Sequence, residues 1–282
     1  MRDEGRGIRS LLAALVLLGA GSAAAQGFDH EHKAWSALLS KHVVLVDGGK
    51  SSQVQYAGFK QDRARLKGYL DTLAGTTQTE FDAWSKAQQM AFLINAYNAF
   101  TVEKILTRYP DIKSIWDFGK IFGNPFKDRF FTLLGRASTL DQVEHETLRK
   151  PGAYDEPRVH FAVNCASIGC PMLREEAYVA ARLEAQLEEQ ARRFLSDRSR
   201  NRYHGESGRL EVSKIFDWFK EDWASGYRGF EGKSEPTRSR EQYFAGYAAL
   251  LADAPDHRKV IETRKAELRF LDYDWTLNDA KR

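Results

Sequence analysis

The stretch RVHFAVNCASIGCPML, running from Arg158 to Leu173, contains both cysteines of the chain, Cys165 and Cys170. Val159, Phe161 and Val163 alternate with His160, Ala162 and Asn164, the period-2 signature of a strand. Ser167, Gly169 and Pro171 are loop formers, so the pattern predicts a strand that ends near Cys165. A thiol at the end of a buried strand is held rigidly. The rest of the chain is read by what it supplies to that corner.

The 282 residues are 43% hydrophobic and 29% charged, a globular composition long enough for one large core or two smaller ones. The 42 basic and 39 acidic residues are interspersed and leave a net charge of +3, so nucleic acid is not an expected partner. Arg6 and Arg9 precede the apolar run Leu11 to Leu18, and the small residues Ala23, Ala24 and Ala25 precede Gln26. That order is a secretory signal with a cleavage site. The apolar run falls short of the ~20 residues a spanning helix needs. Residues 1–25 are therefore expected to be a signal peptide. Residues 26–282 are expected to form one exported domain, periplasmic or secreted, with no stable membrane insertion after cleavage. In an oxidising compartment Cys165 and Cys170 are disulfide candidates. Their C-x4-C spacing, with no second pair, argues against a metal site, and no cofactor is expected.

Elsewhere, Phe28 to Leu39 reads as a helix, and His42 to Val46 and Gln53 to Tyr56 as β-prone runs around Asp47, Gly48 and Gly49. Thr77 and Glu80 resemble a capping box ahead of the longest helical pattern, Met90 to Ile105. Asn95 and Asn98 sit on or beside its apolar stripe. Buried amides must be paired, so they are expected to tie this helix to a loop; the sharper alternative is that one orients a catalytic imidazole. Ser138 or Thr139 caps a short helix over Leu140 to Leu148 that places Glu144 beside His145. Arg174 to Leu195 is amphipathic, Val212 to Trp223 reads as a helix, and Leu210 to Val212 and Leu268 to Leu271 read as short strands. The fold class is α+β, a mostly helical single domain around a small mixed or antiparallel sheet. Trp84, Trp116, Trp218, Trp223 and Trp275 are scattered and read as core and rim residues. His30 and His32 read as incidental residues of a flexible leader, and Asp272 and Asp274, flanking Tyr273, as surface or capping groups.

Five segments, AFLINAYNAFTVEKIL, STLDQVEHETLR, PRVHFAVNCASIGCPML, VSKIFDWFKEDW and FLDYDWTLN, occur in this order between Gln89 and Asn278. Together they resemble the family catalogued as domain of unknown function 547. The resemblance implies a domain without a defined activity. It directs attention to Asn95, Asn98, Glu144, His145, His160, Asn164, Cys165, Cys170 and Pro171. Gly169 stands where the family is expected to carry a small polar residue.

Three functions fit the thiols. In the first, a Cys165–Cys170 disulfide pins the loop of an exported binding or structural domain that takes an unidentified small molecule or peptide. In the second, Cys165 is the nucleophile of a hydrolase or acyltransferase. His145 is then the base, Glu144 lies beside it, and an Asn98 or Asn95 amide holds the imidazole. His160 is a poor partner in that scheme, because five extended residues put it roughly 16 Å away on the opposite face. In the third, the pair exchanges disulfides with partners; C-x4-C lacks the C-x-x-C spacing, so this ranks last.

Overall fold

Helix α1 (Lys33–His42) runs directly into an antiparallel hairpin of β1 (Val43–Val46) and β2 (Ser51–Val54) in this computed structural model, which describes residues 27–119, 123–224, 226–228, 232 and 236–280. The expected signal segment, residues 1–25, lies outside the described residues. Gly48 and Gly49 make the hairpin turn at φ of 61° and 86°, a region that side chains disfavour. Helices α2 (Tyr56–Gln61), α3 (Arg63–Gly75) and α4 (Gln78–Asp82) follow. The Thr77–Glu80 capping box forms, but it caps α4. The longest helix, α5 (Lys86–Leu106), starts from its own box of Ser85 and Gln88. Every residue of α5 from Met90 to Val102 is buried. A helix apolar on all sides becomes the centre of a core rather than its wall.

Strands β3 (Phe131–Leu133) and β4 (Arg136–Ser138) form a second hairpin. A wide π-helical turn, Gln142–Leu148, then carries Glu144 and His145. Thr139 and Gln142 open it by exchanging backbone-to-side-chain hydrogen bonds of 3.2 and 3.0 Å. Helix α6 (Leu183–Ser196) leads to β5 (Arg202–His204), β6 (Arg209–Val212), α7 (Ile215–Trp218), α8 (Lys220–Ala224), α9 (Arg240–Gly246), α10 (Ala248–Leu251), α11 (Pro255–Glu262) and β7 (Glu267–Phe270). β6 pairs antiparallel with β5 and parallel with β7. The architecture is α+β, as the sequence indicates. Among the described residues no helix is long and apolar enough to cross a membrane.

Three local expectations are corrected. Residues 157–161 form a 3-10 turn and not a strand. The turn starts from Pro157, and the Glu156 carboxylate accepts from the Arg158 amide at 2.9 Å. The alternation misleads because every residue from Glu156 to Asn164 is buried, so no solvated face exists for it to report. The helix expected from Arg174 starts at Leu183, after a 3-10 turn over Ala180–Arg182. The segment before it is held extended, because Asn95 takes both the N–H and the carbonyl of Tyr178, at 3.0 and 2.7 Å. The helix expected over Val212 to Trp223 breaks at Phe219 into α7 and α8.

Buried apolar residues fall into two clusters, one around α5 with α1 to α3, the other around α6, β6 and the later helices. The cysteine stretch runs along their seam. Val159, Ala162, Val163 and Ala166 pack into the first cluster and Phe161 into the second.

Candidate functional site

The loop after the 3-10 turn is closed by amides from three directions. Asn98 on α5 donates to the Ala162 carbonyl at 2.9 Å and accepts from the Asn164 N–H at 2.8 Å. Asn164 donates to the Pro171 carbonyl at 2.8 Å and accepts from the Ala166 N–H at 3.0 Å. That bond supports Ala166 at φ 63°, an uncommon conformation for a residue with a Cβ. Chain returning from β7 clamps the outside. The Ile168 and Gly169 amides donate to the Thr276 and Asp274 carbonyls, both at 2.8 Å. A Cβ on Gly169 would sit 2.9 Å from the Asp274 nitrogen, so this backbone approach requires glycine.

Inside this frame the two sulfurs are 2.7 Å apart and both thiols are free. The expected Cys165–Cys170 disulfide is thus not present, since a bonded pair stands at ~2.05 Å. The Cys165 N–H donates to Cys170 Sγ at 2.8 Å. Cys165 Sγ also lies 3.1 Å from Ser167 Oγ and 3.2 Å from Tyr273 Oη. Burial pushes the Cys165 thiol up, and the Glu144 charge opposes ionisation too, but hydrogen bonds from Cys170, Ser167 and Tyr273 outweigh both and leave it below the ordinary value. Cys170 moves the other way: burial and the neighbouring Cys165 hold it well above the usual thiol range. Tyr273 is also pushed well above its usual range, by burial and the adjacent sulfurs, so it keeps its proton and donates it.

Cys165 lines a cavity of about 310 Å³ at the seam of the two clusters. Cys170, Glu144, His145 and His160 line the same cavity, so structure brings together residues that lie on separate segments. His145 Nδ1 accepts from Arg149 Nη1 at 2.7 Å, and its Nε2 is 3.8 Å from Asp141 Oδ1. The neutral imidazole therefore carries its proton on Nε2. His160 is stacked on Phe219 with ring centroids 4.1 Å apart, and its Nε2 meets Asp222 Oδ2 at 2.7 Å. Its Nδ1 is 3.9 Å from Glu144 Oε1. Burial holds His160 below the usual imidazole range despite the two carboxylates. Asp222 is driven to about 2: burial alone would raise it, but bonds from His160 and a bidentate Arg149 win.

The placement of His160 overturns the strand-parity argument, which assumed an extended chain between it and Cys165. Asn98 and Asn95 spend their amides on loop backbone, as the tie between helix and loop requires, and neither bonds an imidazole. His32 is not in a flexible leader: it is buried, with Nδ1 2.8 Å from Tyr69 Oη. Trp116, Trp218 and Trp275, read as scattered, share one wall of the cavity; ring centroids are 5.3 Å apart for Trp116–Trp275 and 5.9 Å for Trp218–Trp275. Tyr273, like Ser167, meets the Cys165 sulfur and was not among the site residues the sequence singled out. Its only local signal was an aromatic between two acidic residues. Among the described residues no group of three His, Cys, Asp or Glu side chains is arranged to hold a metal ion.

Residues 81–195 match the family model described as "Protein of unknown function, DUF547". The match spans α5, the Glu144–His145 turn, the cysteine loop and nearly all of α6. No curated protein and no solved structure matches the chain.

Proposed function

We propose that this chain, a member of the DUF547 family, is a thiol-dependent acyl-transfer enzyme, a hydrolase or transferase, with Cys165 as nucleophile. One observation carries the reading: a sulfur on a cavity wall is met by three hydrogen-bond donors that lower its pKa in spite of burial. The thiolate is the reactive form, and hydrogen bonds from Cys170, Ser167 and Tyr273 stabilise it here.

In the first half-reaction Cys165 Sγ adds to the acyl carbon, and the bond to the leaving group breaks. His145 Nε2–H is placed to donate a hydrogen bond to the leaving group, which takes its proton from solvent and departs, and a thioester remains. In the second half, water or an acceptor nucleophile attacks the thioester, gives its proton to solvent, displaces the thiolate and releases the acyl product. Glu144 and Asp141 flank His145 at 4.0 and 3.8 Å. The His160–Asp222–Arg149 cluster positions the cavity wall. Export to the periplasm or beyond belongs to the proposal and rests on the N-terminal pattern.

A second reading, dithiol–disulfide exchange, is favoured by the 2.7 Å sulfur contact and by the opposite shifts of the two thiols. Against it, Cys165 opens into a small-molecule-sized cavity rather than onto a surface that a protein disulfide can reach. Iodoacetamide labelling of the folded, non-reduced protein, followed by peptide mass mapping, tests both. Acyl transfer expects one label, on Cys165, and an intact mass that reductant does not change. It also expects Cys170→Ser to keep turnover of an activated ester that Cys165→Ser loses. An unlabelled Cys165 defeats the nucleophile. A reducible bridge returns the protein to the structural reading, and turnover of a disulfide that needs Cys170 establishes exchange.

A further inference from the structure

We infer that the substrate of the Cys165 cavity bears an organic cation, an ammonium or quaternary ammonium group, close to the acyl carbon that is attacked. The inference rests on the nucleophile reading for where the acyl group lies, but its binding component stands on the cavity alone. Two features converge. Asp141 and Glu144 both line the cavity, and among the described residues no lysine or arginine does. The nearest nitrogens to these carboxylates in ion-pair range are imidazoles at 3.8 to 4.0 Å, too far for close pairing. The charge of Glu144 reaches the sulfur, since it opposes ionisation of Cys165. Two carboxylates and the Cys165 sulfur thus face one small space, which disfavours an anionic ligand.

Much of the remaining lining is aromatic. Trp116 and Trp218 are 40% and 43% exposed, large apolar surface at the mouth of a cavity rather than in a core. Trp275 stands at 84° to Trp116 and 25° to Trp218, and Tyr273 packs against both Trp218 and Trp275. Indole faces attract a desolvated cation more strongly than any other side-chain ring does. Carboxylates and indoles lining one cavity complement a positive charge with an apolar skin. A neutral sugar would use the same rings for stacking but would gain nothing from the charge.

The test is equilibrium binding to the Cys165→Ser protein, read by tryptophan fluorescence or calorimetry, with choline against its neutral isostere 3,3-dimethyl-1-butanol. The expected result is choline binding at least about tenfold tighter, a preference that shrinks in Asp141→Asn and in Trp218→Leu. Equal affinities would reduce the cavity to an apolar slot. Binding of neither compound, or of N-acetylglucosamine in preference to choline, would also overturn the inference. Because this variant lacks the thiol, these outcomes are independent of whether Cys165 is labelled by iodoacetamide, which decides the nucleophile reading separately.

Discussion

Replacing Tyr273 with phenylalanine removes one donor from the Cys165 sulfur and little else. The ring stays, so its contacts with Trp218 and Trp275, at centroid distances of 4.9 and 4.5 Å, are kept. A hydrogen bond to a charged group contributes about 1.5–3 kcal/mol. Three donors share this sulfur, and Ser167 Oγ, 3.3 Å from the Tyr273 oxygen, is free to turn fully toward it once the phenol is gone. The lower figure, about 1.5 kcal/mol, is therefore the one to use, and it corresponds to roughly one pKa unit. The Cys165 midpoint moves up by that amount. Below both midpoints the variant has about tenfold less thiolate, each thiolate being about threefold more nucleophilic, so alkylation slows by about threefold. Above both midpoints the order reverses. The assay is the rate of iodoacetamide labelling of Cys165 from pH 5 to 10, quantified on the Cys165 peptide. A wild-type midpoint at or above the ordinary ~8.5, or a midpoint unmoved by the substitution, would refute the account of how this thiol is activated.

Other perturbations reach the frame around the site. Asn98→Leu leaves the Asn164 N–H and the Ala162 carbonyl without their partner, at about 1–3 kcal/mol each, so denaturant midpoints should fall accordingly while Cys165 labelling loses its selectivity over Cys170. His32 is held at about 4 against a reference of 6.5, chiefly by burial. The unfolded chain therefore takes the proton first, and stability present above pH 6.5 is lost as pH falls towards 4, by about 3 kcal/mol. Urea titrations across that window should show the loss in the wild type and a flatter profile in His32→Phe. Arg158 and Glu156 form a buried ion pair at 2.7 Å. Arg158→Met should cost about 3–5 kcal/mol, because the carboxylate stays buried, and adding Glu156→Gln should recover most of it in thermal melts.

Local signals in the sequence were sufficient for some of the elements. Two glycines between β-prone runs make a turn wherever they occur, and Thr77 and Glu80 satisfy the same amides in a peptide as in a protein. The two asparagines of α5 were legible for a related reason: an amide inside an apolar stripe must find a partner, and here both bind loop backbone. The cysteine stretch was misread because alternation reports which residues are buried, not which backbone is adopted. Buried on all sides between two clusters, it shows the same pattern in a 3-10 turn.

What the chain order alone determined, then, is the α+β class, the central helix, the two thiols and the Glu144–His145 pair, all of which follow from short-range periodicity and spacing. Tertiary structure decided that Tyr273, 108 positions away, donates to Cys165, that three separate tryptophans form one wall, and that the sulfurs touch without bonding. Partners so far apart leave no local trace, because a hydrogen bond or a ring contact constrains distance in space and places no demand on separation along the chain.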